Sequence, residues 1–85
     1  MDIELKLFGI LRGREMQDVL QLMVQGNYVA DLRRALIKHA ELNWNDISAA
    51  FLSGCAFASS ELILRDADTL PADGKLAILP PVSGG

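Results

Sequence analysis

Eighty-five residues suffice for one small domain with a modest core, and 51% hydrophobic composition without long polar or charged runs favours a folded globule over disorder. The formal net charge of −3 argues against nucleic acid, which calls for a basic face, and suits a soluble small protein. No apolar stretch approaches the ~20 residues needed to span a bilayer.

The chain opens on a period-two pattern. Ile3, Leu5 and Leu7 alternate with Glu4 and Lys6, which predicts a half-buried strand. Gly9 suggests a bulge or close approach, and Gly13, set among Arg12, Arg14 and Glu15, reads as a turn. Leu20, Leu22 and Val24 alternate again, so the first two strands form a hairpin. This opening does not fit a secretory signal, and the single Cys55 has no internal disulfide partner, so the expected location is cytoplasmic.

Gly26-Asn27 ends the hairpin, and Asn27 is expected to cap a helix. Asp31 suits the positive end of that helix. Val29, Leu32, Leu36 and Ala40 recur at helical spacing, with Arg33, Arg34 and Lys38 on other faces. The spacing predicts a helix over residues 28–41 that stops near Asn43.

Asn43 to Asp46 reads as a connection. Ala49 to Phe57 is small and apolar and is expected to be a buried strand, with Gly54 bending it. Leu62-Ile63-Leu64 suggests a short strand, Asp66 to Thr69 a loop, and Pro71-Ala72-Asp73-Gly74 a turn. Lys75 to Leu79 completes a last apolar strand. The order predicts an α+β fold, with one main helix packed across a mixed sheet.

That strand runs straight into Pro80-Pro81-Val82-Ser83-Gly84-Gly85. The prolines oppose helix and favour extended backbone, and from Pro80 to Gly85 the chain reaches roughly 20 Å when extended. Gly84 and Gly85 have no side chains, so they suit passage through a narrow channel in a partner. The expectation is a domain over 1–79 and an extended arm over 80–85, with the Gly85 carboxylate as a reaction handle.

No catalytic set appears elsewhere. His39 falls near a helix end, where it reads as solvated or dipole-compatible, and Cys55 reads as a small core residue. Neither has metal-ligand spacing. Asp66, Asp68 and Asp73 lack a calcium-loop pattern and read as solvated loop residues. No phosphate-cradling glycine loop is present.

Three features together resemble the small, sulfur-carrying subunit of molybdopterin synthase, a family of β-grasp, ubiquitin-like proteins. They are the end Ala77 to Gly85, the Ala72-Asp73-Gly74 turn, and the opening strand Leu5-Lys6-Leu7-Phe8 up to Arg12 with the helix start Val29 to Arg33. Gly84-Gly85 alone is shared with ubiquitin-like modifiers and thiamin-pathway carriers, and Pro80 to Gly85 as a run favours the molybdopterin branch. Residues 51–70 form a longer stretch than in many relatives, with Ser53-Gly54 where an asparagine turn is common.

The resemblance implies a non-catalytic carrier within a heterotetrameric complex. A ubiquitin-activating-like adenylyltransferase would use ATP to adenylate Gly85, and sulfur would replace AMP to give a thiocarboxylate. The large catalytic subunit would take the arm and pass the sulfur to a cyclic pterin phosphate. The carrier itself would bind no cofactor. Gly85 and Gly84 would carry the chemistry, and Phe8, Arg12, Leu79, Pro80, Pro81, Val82 and Ser83 would meet partners. Core packing is the competing role for Phe8, and a solvated turn for Arg12. Sulfur delivery to thiamin or tRNA, attachment to protein lysines, and an inert interaction domain are the other readings.

Overall fold

The computed structural model describes residues 1–81. Five strands form one sheet: β1 (Asp2–Leu7), β2 (Val19–Met23), β3 (Ala56–Ala58), β4 (Ile63–Leu64) and β5 (Lys75–Leu79). Their order is β2-β1-β5-β3-β4. β1 and β5 are parallel, and the other pairs are antiparallel. Two helices complete the described chain, α1 (Val29–Asn43) and α2 (Ala49–Ser53).

The period-two pattern of β1 does what it predicts. Ile3, Leu5 and Leu7 are buried, while Asp2, Glu4 and Lys6 point to the opposite, exposed face. On β5, Leu76 and Ile78 are buried beside them, and on β3 it is Phe57. The helical stripe Val29, Leu32, Leu36 and Ala40 is buried, so α1 closes the inner face of the sheet. All four side chains are at most 1% exposed, so this stripe and the inner strand residues form the core. No helix among the described residues is long and apolar enough to cross a membrane.

Three local expectations are corrected. The first two strands are not joined by a short turn. The connection runs through two 3₁₀ segments, Gly9–Leu11 and Met16–Asp18, and Gly9 starts the first of them rather than making a bulge. Asn27 does not cap α1. Tyr28 takes the cap position without a capping side-chain bond, and the Asp31 carboxylate accepts the Tyr28 N–H at 3.0 Å. Asn27 instead offers its backbone oxygen to the Leu70 N–H at 2.7 Å.

The third correction is the apolar run 49–57, which is not one strand. Ser48 caps α2, its Oγ accepting the Phe51 N–H at 3.0 Å, and Gly54 closes the helix before β3 begins. A five-residue apolar stretch has no periodicity long enough to choose between helix and strand, and the serine decides it. Arg33 lies off the apolar stripe as expected, yet its side chain is only 14% exposed. The Pro71–Gly74 turn is present, closed by the Gly74 N–H on the Pro71 oxygen at 3.0 Å.

Candidate functional site

β5 lies inside the sheet, and its two neighbours release it almost together. Its last partner on β1 is Leu7, opposite Ile78, and its last partner on β3 is Ala56, opposite Leu79. Pro80 and Pro81 then follow. Neither has an N–H to give, so the ladder ends there and the chain leaves the sheet.

The two prolines pass between two glycines. A Cβ added to Gly9 would lie 3.2 Å from Cγ of Pro80, and one added to Gly54 would lie 4.0 Å from Cγ of Pro81. One wall of the exit is therefore the first 3₁₀ turn after β1, and the other is the end of α2. Pro80 is half-buried and Pro81 is exposed. Val82, Ser83, Gly84 and Gly85, expected to form the reactive end of the arm, lie outside the described residues.

Phe8 and Leu79 each follow an inward-facing paired residue, Leu7 and Ile78, so both turn to the outer face of the sheet. Phe8 is 36% exposed and Leu79 is half-buried. Phe8 is thus not core. Lys6 Nζ sits 5.6 Å from its ring centroid, and Phe8, Ala58 and Ala77 line a shallow depression on the outer face together with Lys6, Lys75, Glu4 and Asp73. Its rim carries two ammonium groups and two carboxylates, so the depression has no net charge of its own.

Arg12 has a local partner. Its Nε lies 3.3 Å from Asp18 Oδ2, while Asp18 Oδ1 accepts the Gly13 N–H at 2.7 Å. That backbone N–H, with help from Arg12, holds the Asp18 carboxyl below the usual carboxylate range against a smaller desolvation effect. The Arg12 side chain remains 66% exposed, so its other donors face solvent.

The strand order, the helix across the sheet and the placement of the C-terminal run together define a known architecture. SAMP1 from Haloferax volcanii has it: a TM-score of 0.68 and 25% identity, over 100% of both chains. The sequence also matches the ThiS family over residues 5–85. The chain belongs to the ThiS family. It is a sulfur carrier with the ubiquitin-like β-grasp fold, and carriers of this kind work with partner enzymes. No curated protein matches it.

Two side-chain networks brace the exit of this ThiS-family chain, and sequence reasoning missed both. In the first, Glu15 Oε2 accepts the Trp44 Nε1–H at 3.1 Å and lies 3.2 Å from His39 Nε2. Asn43 Nδ2 lies 3.3 Å from His39 Nδ1 and donates to the His39 backbone oxygen at 3.0 Å. Arg14 grips Asp46 with both terminal nitrogens, at 2.5 and 2.8 Å. That bond, against a weaker effect of burial, raises the Arg14 pKa, and its mirror image lowers that of Asp46. His39 is therefore half-buried and bonded rather than solvated. The partners are 24 to 32 residues apart, and no local pattern marks them.

In the second network, Arg33 reaches under α2. Its Nη1 donates to the Leu52 and Cys55 oxygens, each at 2.8 Å, and its Nη2 meets Asp66 at 2.7 Å. The guanidinium carbon also lies 4.8 Å from the Phe57 ring centroid. One side chain thus ties α1 to the turn holding Gly54. Cys55 is buried just before β3. Desolvation pushes its thiol pKa up, against the pull of Arg33. The other aspartates serve turns: Asp68 accepts the Arg65 N–H at 2.7 Å and Asp73 the Lys75 N–H at 3.1 Å.

Proposed function

We propose that this chain is the sulfur-carrier subunit of molybdopterin synthase. One stretch carries the reading: Leu79-Pro80-Pro81-Val82-Ser83-Gly84-Gly85, which resembles the tail of that family's small subunit and follows directly on an anchored β5. A ubiquitin-activating-like adenylyltransferase joins the Gly85 carboxylate to the AMP part of ATP and releases pyrophosphate. A sulfur nucleophile then forms the carbon–sulfur bond as AMP leaves, and a thiocarboxylate remains. Adenylation is needed because a free carboxylate is a poor electrophile at neutral pH.

The large subunit receives the arm in a closed pocket, where water is excluded and the sulfur is held for attack on the cyclic pterin phosphate. Phe8, Leu79, Pro80, Pro81, Val82 and Ser83 make the partner contacts. Arg12 contributes through the donors that Asp18 leaves unused. Family membership supports the carrier chemistry, and the Pro-Pro-Val-Ser-Gly-Gly run supports the pterin branch.

Reconstitution tests the assignment. The chain is loaded with ATP, its adenylyltransferase and a sulfide source, then mixed with the large synthase subunit and the pterin precursor. Conversion to the dithiolene product is expected, and deletion of Gly85 abolishes it while leaving the melting temperature unchanged. Loading without pterin conversion would move the chain to another sulfur pathway. Lysine conjugates in cells in place of conversion would make it a protein modifier.

A further inference from the structure

Gly9 and Pro80 fit each other closely. Gly9 has φ +60°, a backbone conformation that side chains disfavour, and its bare Cα faces the Pro80 ring. A Cβ there would sit 3.2 Å from Cγ, 3.6 Å from Cδ and 3.8 Å from Cβ of that ring. The ring therefore occupies the space that a side chain at position 9 would take. The same loop contains a natural control. Gly13 also has positive φ, +85°, but an added Cβ there meets nothing within 4 Å.

We infer that Gly9 is a positioning residue for the C-terminal arm: its missing side chain seats the Pro80 ring and so sets the direction in which the chain leaves the sheet at Pro81. The inference rests on the carrier reading, because direction matters only if a partner must receive the end of the arm. A side chain at position 9 leaves two outcomes, a shifted turn or a shifted ring. The turn is held at its far end by the Arg12–Asp18–Gly13 bonds and by Glu15 and Arg14. Pro80 lies past the last ladder pair of β5 and has no N–H to anchor it, so the ring yields. Any tilt at Pro80 is carried along up to ~17 Å of extended chain before Gly85.

The test compares Gly9→Ala with Gly13→Ala in the full chain, by ATP–pyrophosphate exchange with the cognate adenylyltransferase. Both substitutions place alanine in the left-handed region, so both lower Tm by about 4–8 °C. Only Gly9→Ala lowers kcat/KM for the carrier, by about tenfold, as expected when a reacting group is misplaced by a fraction of an ångström. Gly9→Asn brings the same Cβ with a residue that tolerates positive φ, and it shows the same kinetic loss with a smaller change in Tm. In a Pro80→Ala background, which removes Cγ and Cδ, the loss from Gly9→Ala shrinks to about twofold if the ring carries the effect.

Equal kcat/KM for Gly9→Ala and Gly13→Ala would overturn the inference. A loss from Gly9→Ala that persists undiminished without the Pro80 ring would overturn it too. If the unaltered chain supports no exchange, the carrier chemistry itself fails, and that outcome is separate from both.

Discussion

The two walls of the exit are built on different physics. The wall at Gly9 belongs to a loop with two non-glycine residues at positive φ, Gln17 at +57° and Asp18 at +58°. Exposed or half-exposed charges hold it: Asp18 on Gly13 and Arg12, Arg14 on Asp46, and Glu15 on His39 and Trp44. The wall at Gly54 is held by Arg33, whose guanidinium satisfies two backbone oxygens and an aspartate in a largely buried setting. Exposed carboxylates are screened by salt and neutralised by protons, whereas hydrogen bonds from a guanidinium to backbone oxygens depend far less on either. The Gly9 wall should therefore respond to solution conditions while the Gly54 wall responds mainly to mutation.

The largest test removes what both walls rest on. Leu36 is fully buried in the face of α1 that packs on the sheet. Leu36→Ala is expected to cost ~2–5 kcal/mol, read by urea unfolding. A change under about 0.5 kcal/mol would mean that α1 does not anchor the fold.

Next comes the Gly54 wall. Arg33→Ala leaves the Leu52 and Cys55 oxygens without their donor and should cost about 2 kcal/mol, nearly independent of salt. A cost that disappears at high salt would show that Arg33 behaves as a surface charge.

The Gly9 wall gives the smallest effect and the opposite dependence. Asp46 is held below its usual pKa chiefly by Arg14, and Asp18 chiefly by the Gly13 N–H. A carboxyl whose pKa is lower in the folded protein adds stability above its unfolded pKa near 4, and that stability is lost as pH falls through the lower folded value. Stability should therefore fall on acidification below about pH 4, and Asp46→Asn should reduce that fall. Asp46 is solvent-exposed and Asp18 half-exposed, so molar salt should flatten the same slope. A pH profile unchanged by Asp46→Asn would place the acid sensitivity elsewhere.

The contrast also explains what could be read from the sequence. β1, α1 and β5 were legible because a buried face writes a regular period, two for Ile3-Leu5-Leu7 and near 3.6 for Val29-Leu32-Leu36-Ala40. The exit was legible in outline, since Pro80-Pro81 must end any ladder. The walls were not. Arg14 and Glu15 look like any solvated turn, and what makes them structural is the arrival of Asp46, His39 and Trp44 from elsewhere in the chain. Arg33 looks like a surface helix residue, because its acceptors are backbone oxygens, which every residue has. α2 was mistaken for strand because five apolar residues do not complete a helical period, although Ser48 gave the one local sign.

In the proposed cycle the Gly85 end of this chain carries sulfur. The direct measurement is the intact and C-terminal fragment mass after incubation with ATP, the adenylyltransferase and a sulfide source. Exchange of one oxygen for sulfur, located at Gly85 and absent when ATP is withheld, is the expected outcome. A mass that stays unchanged with an adenylyltransferase shown to be active would contradict it.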